Sequence, residues 1–411
     1  MHICFFNRSY WPDQASTGQL LTELAEDLVA QHGCQVTVVA GPALNPSDAV
    51  SAGSASNPRE TRHGVEIRRA TGTRVSPRRF AGRALNYMSY FASSHFTSRR
   101  LERPDVVVSL TDPPIIGLTA ARAARRVGAP FVFVCEDIFP EVAILLQDFQ
   151  NGAVNRMLDR INRHLIGTAD AIVALGDCMR ARLVDEKGAD PARVRIIHNW
   201  ADCEAIVPGQ KDNSFARAHG LAGRFVVMHS GNVGMSQNLE ALLGAAERLR
   251  ADERIVILIV GDGTRRVALE RDAAVRGLRN VRFLPYQPKE LLHESFAAAD
   301  LFIVSLKEGI EGYIVPSKVY GILAAGRPYV AATDPACEVA AIARDHGCGV
   351  LAAPGDPAAL AGQIAVLAGN PEAVRSMGMN ARRAAWQFDR RVAVQAYFDL
   401  FMHVVRLDRA A

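Results

Sequence analysis

Short, near-continuous apolar runs alternate with stretches of helical periodicity along most of the chain. Ile3–Phe6, Val36–Ala40, Val106–Leu110, Phe131–Val134, Ala171–Leu175 and Val194–Ile197 read as buried strands. Gly18–Gln31, Ile115–Val127 and Val154–Ala169 are among the helical stretches between them. Phe225–His229, Ile255–Val260, Val281–Leu284, Leu301–Leu306, Tyr329–Ala332 and Gly349–Leu351 then form a second strand set, with helices at Leu239–Arg250, Thr264–Arg276 and Lys289–Ala299. Strands of this kind, separated by helices, specify a parallel sheet covered on both faces. The segment from His198 to Leu221 is polar and irregular, contains Pro208 and Gly209, and reads as a linker. Arg383–Val405 is a long helical pattern after the second sheet is complete. The expected fold is α/β: two doubly wound Rossmann-like domains, 1–205 and 206–385, facing across a cleft, with a C-terminal helix 386–411 packing back on the first. Ligands of such sheets bind beyond the carboxyl ends of the strands.

A length of 411 residues fits two cores better than one. With 49% hydrophobic and 22% charged residues the chain is too apolar for disorder, and a net charge of +4 argues against a dedicated nucleic-acid protein. Seven cysteines are scattered singly, with no Cys-x-x-Cys pair and no zinc spacing, which suggests a reducing compartment. Met1-His-Ile-Cys-Phe-Phe6 reads as a strand and lacks the basic start of a signal peptide. No apolar run approaches the roughly 20 residues of a membrane span. The expectation is a soluble, cytoplasmic protein.

The most informative chemistry follows the strand Leu301–Leu306. Glu308-Gly-Ile-Glu-Gly-Tyr-Ile-Val-Pro-Ser-Lys318 is a glycine-containing acidic loop that feeds a helix opened by Pro316 and Ser317 and closed at Gly326. First-turn amides without helical partners, together with the helix dipole, favour a phosphorylated ligand there. No Gly-x-Gly-x-x-Gly follows the first strand, where the chain reads Asn7-Arg-Ser-Tyr-Trp-Pro-Asp-Gln-Ala-Ser-Thr-Gly18. That disfavours a dinucleotide-dependent oxidoreductase, and a phosphate-loop Lys-Ser/Thr motif is absent as well.

Tyr10-Trp-Pro12, Asp112-Pro-Pro114, Glu136-Asp-Ile-Phe-Pro-Glu141, Ile197-His-Asn-Trp200, His229-Ser-Gly-Asn-Val-Gly234, Val260-Gly-Asp-Gly263, Leu284-Pro-Tyr-Gln287, Val315-Pro-Ser-Lys318 and Ala324-Ala-Gly-Arg-Pro328 are weak motifs singly. In this order and spacing the chain resembles the retaining family-4 glycosyltransferases of the GT-B fold, in the branch of bacterial capsule, O-antigen and colanic-acid assembly. The resemblance implies a nucleotide sugar, UDP-linked first and GDP-linked next, held by the C-terminal domain. It also implies a glycan or lipid-linked acceptor on the N-terminal domain, and no metal or other cofactor.

The same resemblance places Gly231, Asn232, Gln237, Gly263, Arg265, Tyr286, Gln287, Glu308, Gly312, Ser317 and Lys318 at the donor. It gives Glu311, Asp137 and Glu136 as the catalytic acids, and Ser16, Thr17 and Gly18 as the acceptor side of the cleft. Ser317, and Ser16 or Thr17, are also expected to cap their helices. The chain departs from the family in two ways. Asn232 and Gln237 stand where an Arg and a Lys commonly face the diphosphate. The two glutamates separated by seven residues would fall at Tyr313 and Gly321. Arg265, Arg266 and Lys318 are the nearest substitute cations by motif position. These departures leave open a GT-B nucleotide-sugar epimerase or a catalytically silent nucleotide-binding subunit.

Residues 74–91 combine Arg74, Arg78, Arg79 and Arg83 with aromatics, and carry Leu85, Met88 and Phe91 at helical spacing. That composition suits an anionic membrane surface as well as a helix packed on the first domain.

Overall fold

A computed structural model, describing residues 1–13, 15–42, 59–73, 75, 80–146 and 151–410, builds the apolar runs into two sheets. The chain divides into two compact units, Met1–His198 with Ala393–Ala411, and Asn199–Val392. The sequence reading had put the change of domain at 205/206.

The first unit carries β1 (His2–Phe6), β2 (Gln35–Ala40), β3 (Arg59–Arg62), β4 (Val65–Arg69), β5 (Val106–Ser109), β6 (Phe131–Val134), β7 (Ala171–Ala174) and β8 (Val194–Ile196). Their order is β3-β4-β2-β1-β5-β6-β7-β8. All neighbours pair in parallel except β3 with β4. That antiparallel edge pair was not foreseen, because Arg59-Glu-Thr-Arg62 offers no apolar run. It is held instead by charge: Arg69 Nε lies 2.6 Å from Glu60, and Arg62 pairs with Glu26 of the Ser16–His32 helix. The strand order reverses between β1 and β5.

The second unit carries β9 (Phe225–Ser230), β10 (Ile255–Val260), β11 (Val281–Leu284), β12 (Leu301–Ser305), β13 (Tyr329–Ala332) and β14 (Gly349–Ala352). They run β11-β10-β9-β12-β13-β14, all parallel. One face is sealed by Leu242, Leu243, Leu360 and Ile364 packed on Val227, Ile257, Ile303 and Val330. Fully burying an aliphatic side chain of this size contributes about 1.5–3 kcal/mol. Here the order reverses between β9 and β12.

Two expectations change. The segment read as a linker contains a short helix, Ser214–Ala218, capped by the Asn213 side chain through the Ala216 amide at 2.9 Å. The single helix read over Arg383–Val405 is broken. Pro371–Ala385 ends, Trp386–Phe388 makes one tight turn, Asp389 is extended, and Arg390–Ala410 begins anew. The Asp389 carboxylate accepts from the Cys203 and Arg391 amides at 3.2 and 3.0 Å, which holds the break. No proline or glycine marks it in the sequence. Residues from Ala393 onward pack in the first unit, where Phe401 meets Phe5 edge-on and Phe398 stacks on His32 at 4.0 Å.

Candidate active site

The loops leaving β9 and β12 meet beyond the carboxyl edge of the second sheet, where an open parallel sheet holds its ligand. After β9 the chain runs through Gly231, Asn232, Val233 and Gly234 into a single turn, Met235–Gln237. This loop is tied to the one after β10. The Gly231 amide donates to the Val260 carbonyl and the Val233 amide to the Asp262 carbonyl, both at 2.9 Å. The Arg265 amide returns to the Val233 carbonyl at 3.0 Å. The approach is close enough to dictate residue type. A Cβ on Gly261, at φ 140°, would stand 1.9 Å from the Gly231 carbonyl oxygen; one on Gly263 would stand 2.3 Å from that of Val233. Gly261→Ala is therefore expected to destabilise the second unit by about 2–4 kcal/mol, seen as a lowered melting temperature. From β12, the Ser305 hydroxyl donates to the Gln237 carbonyl and the Lys307 amide to the Ser236 carbonyl at 2.8 Å.

The Lys318–Ala324 helix brings Lys318 over this loop. Its Nζ lies 3.2 Å from His229 Nε2, and a Cβ on Gly231 would stand 3.5 Å from it. The residue as a whole keeps some exposure, yet burial pulls its ammonium down to about 7. His229 is fully buried at the end of β9; burial, then the Lys318 charge, holds its imidazole far below the ordinary range, so it is neutral. Its Nε2 faces both the Lys318 Nζ and the Asn232 carbonyl, so the tautomer sets which of the two it bonds. Among the described residues no carboxylate pairs with Lys318. A desolvated cation resting on a neutral ring, at the reversal of strand order, is suited to a phosphate oxygen.

In the first unit the reversal lies between β1 and β5, and Asp112 bridges it. Its carboxylate accepts from the Ser9 amide at 3.1 Å and from the Ser9 hydroxyl, and sits 3.5 Å from Arg8 Nε. Asp137, three residues beyond β6, is pushed up to about 7 by burial, with the Asp112 charge adding to the shift. Glu136 is half-buried beside it. The short helix that follows, Glu141–Leu145, is anchored by buried Lys187, whose Nζ lies 2.7 Å from both Glu141 and Asp159.

Two family descriptions match the chain: "Glycosyl transferase 4-like domain" over residues 17–200 and "Glycosyl transferases group 1" over 211–384. A Pseudomonas aeruginosa protein named a probable glycosyltransferase, WbjE, is 30% identical over 282 residues, 68% of this chain and 70% of that one. This chain belongs to the family-4 glycosyltransferases. A protein of Escherichia coli K12, provisionally named a colanic acid biosynthesis glycosyl transferase, WcaI, is 26% identical over 79% of this chain and 82% of its own. The fold is that of the GT-B enzymes. Anabaena HepE, solved in complex with UDP, superposes with a TM-score of 0.75 at 16% identity, covering 98% of this chain and 100% of HepE.

In this glycosyltransferase several residues read as donor contacts are occupied otherwise. Arg265 is paired with Glu240, its Nε 3.0 Å from the carboxylate. Arg266 donates to the Gly261 and Leu284 carbonyls and pairs with Glu270. The Gln237 side-chain oxygen accepts from the Gly234 amide at 2.9 Å, fixing the turn. The Asn232 carbonyl lies 3.3 Å from His229 Nε2. Gly263 is required by the close pass of Val233.

Ser317 makes no side-chain cap, and the Val319 and Tyr320 amides bond to the Pro316 and Ser317 carbonyls at 3.3 Å. The expected row of unpaired amides is therefore partly used, and the charge of Lys318 is the stronger feature. Glu308 is exposed; Glu311 is half-buried and bridges to Ile314; Gly312 is buried and left-handed at φ 77°. Tyr286 is half exposed, its hydroxyl 3.4 Å from the Asp262 carbonyl, and Gln287 donates to the Pro285 carbonyl at 2.9 Å. A Cβ on Gly321 would stand 3.2 Å from the Phe296 ring, so a glutamate there would have to displace it.

Ser16 and Thr17 lie in the first turn of the Ser16–His32 helix, whose cap is Ala15, without a side-chain bond. Gly18 is buried, and a Cβ on it would meet the Ser9 backbone at 3.3 Å, so its smallness serves packing. Sequence reasoning did not single out Asp112 or His229 as site residues. The available signals were an acid directly after an apolar strand and a histidine inside one.

Proposed function

We propose that this glycosyltransferase moves a sugar from a nucleoside diphosphate donor, UDP-linked, to a lipid-linked glycan acceptor in surface polysaccharide biosynthesis, with retained anomeric configuration. The observation that carries the reading is Lys318, desolvated and without a carboxylate partner at the reversal of the second sheet. The Anabaena neighbour's UDP and the names of the two bacterial relatives support the donor and the product class. The second unit binds the donor, and the departing diphosphate is stabilised by Lys318 and the Gly231–Gly234 turn. The first unit binds the acceptor, and Asp137 takes the proton of the attacking hydroxyl. We place the reaction in the cytoplasm.

Protein groups meet the charge of the leaving group in this reading, with no metal ion. EDTA is expected to leave the transfer rate unchanged; a rate restored only by a divalent cation would overturn that part. The function is tested by incubating the protein with UDP-sugars and lipid-linked acceptor fractions and following product by mass spectrometry, with proton NMR for the anomer. Release or isomerisation of the sugar without acceptor would point to an epimerase. UDP binding without turnover on any pair would point to a silent subunit.

A further inference from the structure

The Phe80–Ser98 helix is amphipathic in the reverse of the usual sense. Its inward side is polar: Asn86, Ser94 and Ser98 are buried, together with Tyr90. Thr71, Thr73 and Val75 are knitted to this side by hydrogen bonds. The Thr71 and Ser93 hydroxyls lie 2.8 Å apart, and the Thr73 amide donates to Ser89 at 2.9 Å. Asn86 accepts from the Thr73 hydroxyl and the Val75 amide and donates to the Val75 carbonyl. The Tyr90 hydroxyl donates to the Val39 carbonyl at 2.8 Å. Together these bonds fix which side faces out.

The outward side carries Leu85, Met88 and Phe96, exposed by 50, 55 and 63%, with exposed Ala92 between them. Positions 85, 88, 92 and 96 recur every three or four residues and so form one stripe. A helix on a water-soluble globule normally buries such a stripe. Phe96 belongs to it, while Phe91, assigned to the apolar face from the sequence, is half-buried. Beyond the helix end stand exposed Arg99, Arg100 and Arg103, with Arg99 over the Phe96 ring at 5.7 Å. Among the described residues none of the three pairs with a carboxylate; Glu102 is the one acid among them in sequence. Arg74, Arg78 and Arg79 precede the helix in sequence and lie outside the described residues.

We propose that this face docks the first unit on an anionic lipid surface, the apolar stripe entering the headgroup boundary and the arginines meeting lipid phosphates. A second copy of the chain is a poorer occupant, because a symmetric contact would bring like-charged arginines together. No helix among the described residues is long and apolar enough to cross a membrane, so the contact is peripheral. The proposal deepens the lipid-linked acceptor reading, but its test needs neither nucleotide nor turnover.

The full chain is sedimented with vesicles of phosphatidylcholine alone and with added phosphatidylglycerol. The wild type is expected to partition at least about tenfold more strongly onto the anionic vesicles, and less strongly at high salt. Leu85→Ser/Met88→Ser/Phe96→Ser is expected to lose this binding at unchanged melting temperature, since the three side chains are exposed. Arg99→Gln/Arg100→Gln/Arg103→Gln is expected to weaken it by about fivefold per arginine. A wild type that stays in solution with both vesicles, or a triple serine variant that sediments like the wild type, overturns the proposal. So does a concentration-dependent dimer that the serine variant abolishes, which would assign the face to a second copy.

Discussion

Lys318→Met is expected to weaken UDP binding about ten- to a hundredfold, and to slow transfer by about 10²–10³. The first figure is the value of a hydrogen bond to a charged group, about 1.5–3 kcal/mol. The second adds the loss of a cation aimed at a leaving group whose charge grows in the transition state. Sequence position alone offered three substitute cations for the missing Arg and Lys. In the structure Arg265 is paired with Glu240 and Arg266 with Glu270 and two carbonyls, whereas Lys318 has no carboxylate partner among the described residues. The pH dependence has a definite sign. In the free protein the Lys318 ammonium titrates near 7. A bound diphosphate favours the charged form and raises that value. UDP affinity should therefore be level below pH 7 and fall above it, by up to about tenfold per unit until the bound form's value is reached. Binding at pH 8 should take up a proton, measurable by calorimetry in buffers of different ionisation enthalpy. Lys318→Arg keeps its charge throughout and should flatten the profile.

Asp137→Asn is expected to lower kcat by about 10²–10⁴, the range for losing a positioned acid–base group, while UDP affinity holds. Burial first, and the Asp112 charge second, raise this carboxyl to about 7. It is thus half protonated at neutrality. A group that accepts the acceptor's proton must be ionised, so the rate at saturating donor should rise with pH through about 7 and then level. The asparagine variant should lack that limb. Asp112→Asn removes the repelling charge and should move the limb to lower pH. A merely structural Asp137 would lower melting temperature and rate together, with the pH profile unchanged. At low donor concentration the rising limb of Asp137 and the falling limb of Lys318 should combine into a bell near neutrality.

The sheets were legible because parallel strands buried on both faces are written as apolar runs. Ile255–Val260, Val281–Leu284 and Tyr329–Ala332 appear with the bounds read from sequence. The Arg59–Arg62 edge strand was illegible because its stability comes from Glu60, Arg69 and Glu26, brought together only by the fold. The break at Asp389 escaped notice for the same reason, since the Cys203 amide that it accepts lies 186 residues away. At the site, motif spacing named Lys318 and Asp137 among the candidates. It could not give their protonation. For Lys318 that depends on surroundings built from a strand and a helix 89 residues apart, and for Asp137 on burial first and then on an acid from a different strand end. Gly18, Gly263 and Gln237 carried a motif signal that packing explains without a ligand.

Isothermal titration of UDP into the wild type and Lys318→Met at pH 6.5 and 8.5 tests most directly whether this lysine receives the diphosphate. The account predicts saturable wild-type binding that weakens at the higher pH, and a variant about ten- to a hundredfold weaker whose affinity no longer changes with pH. Equal affinity in the two proteins at both pH values would contradict it.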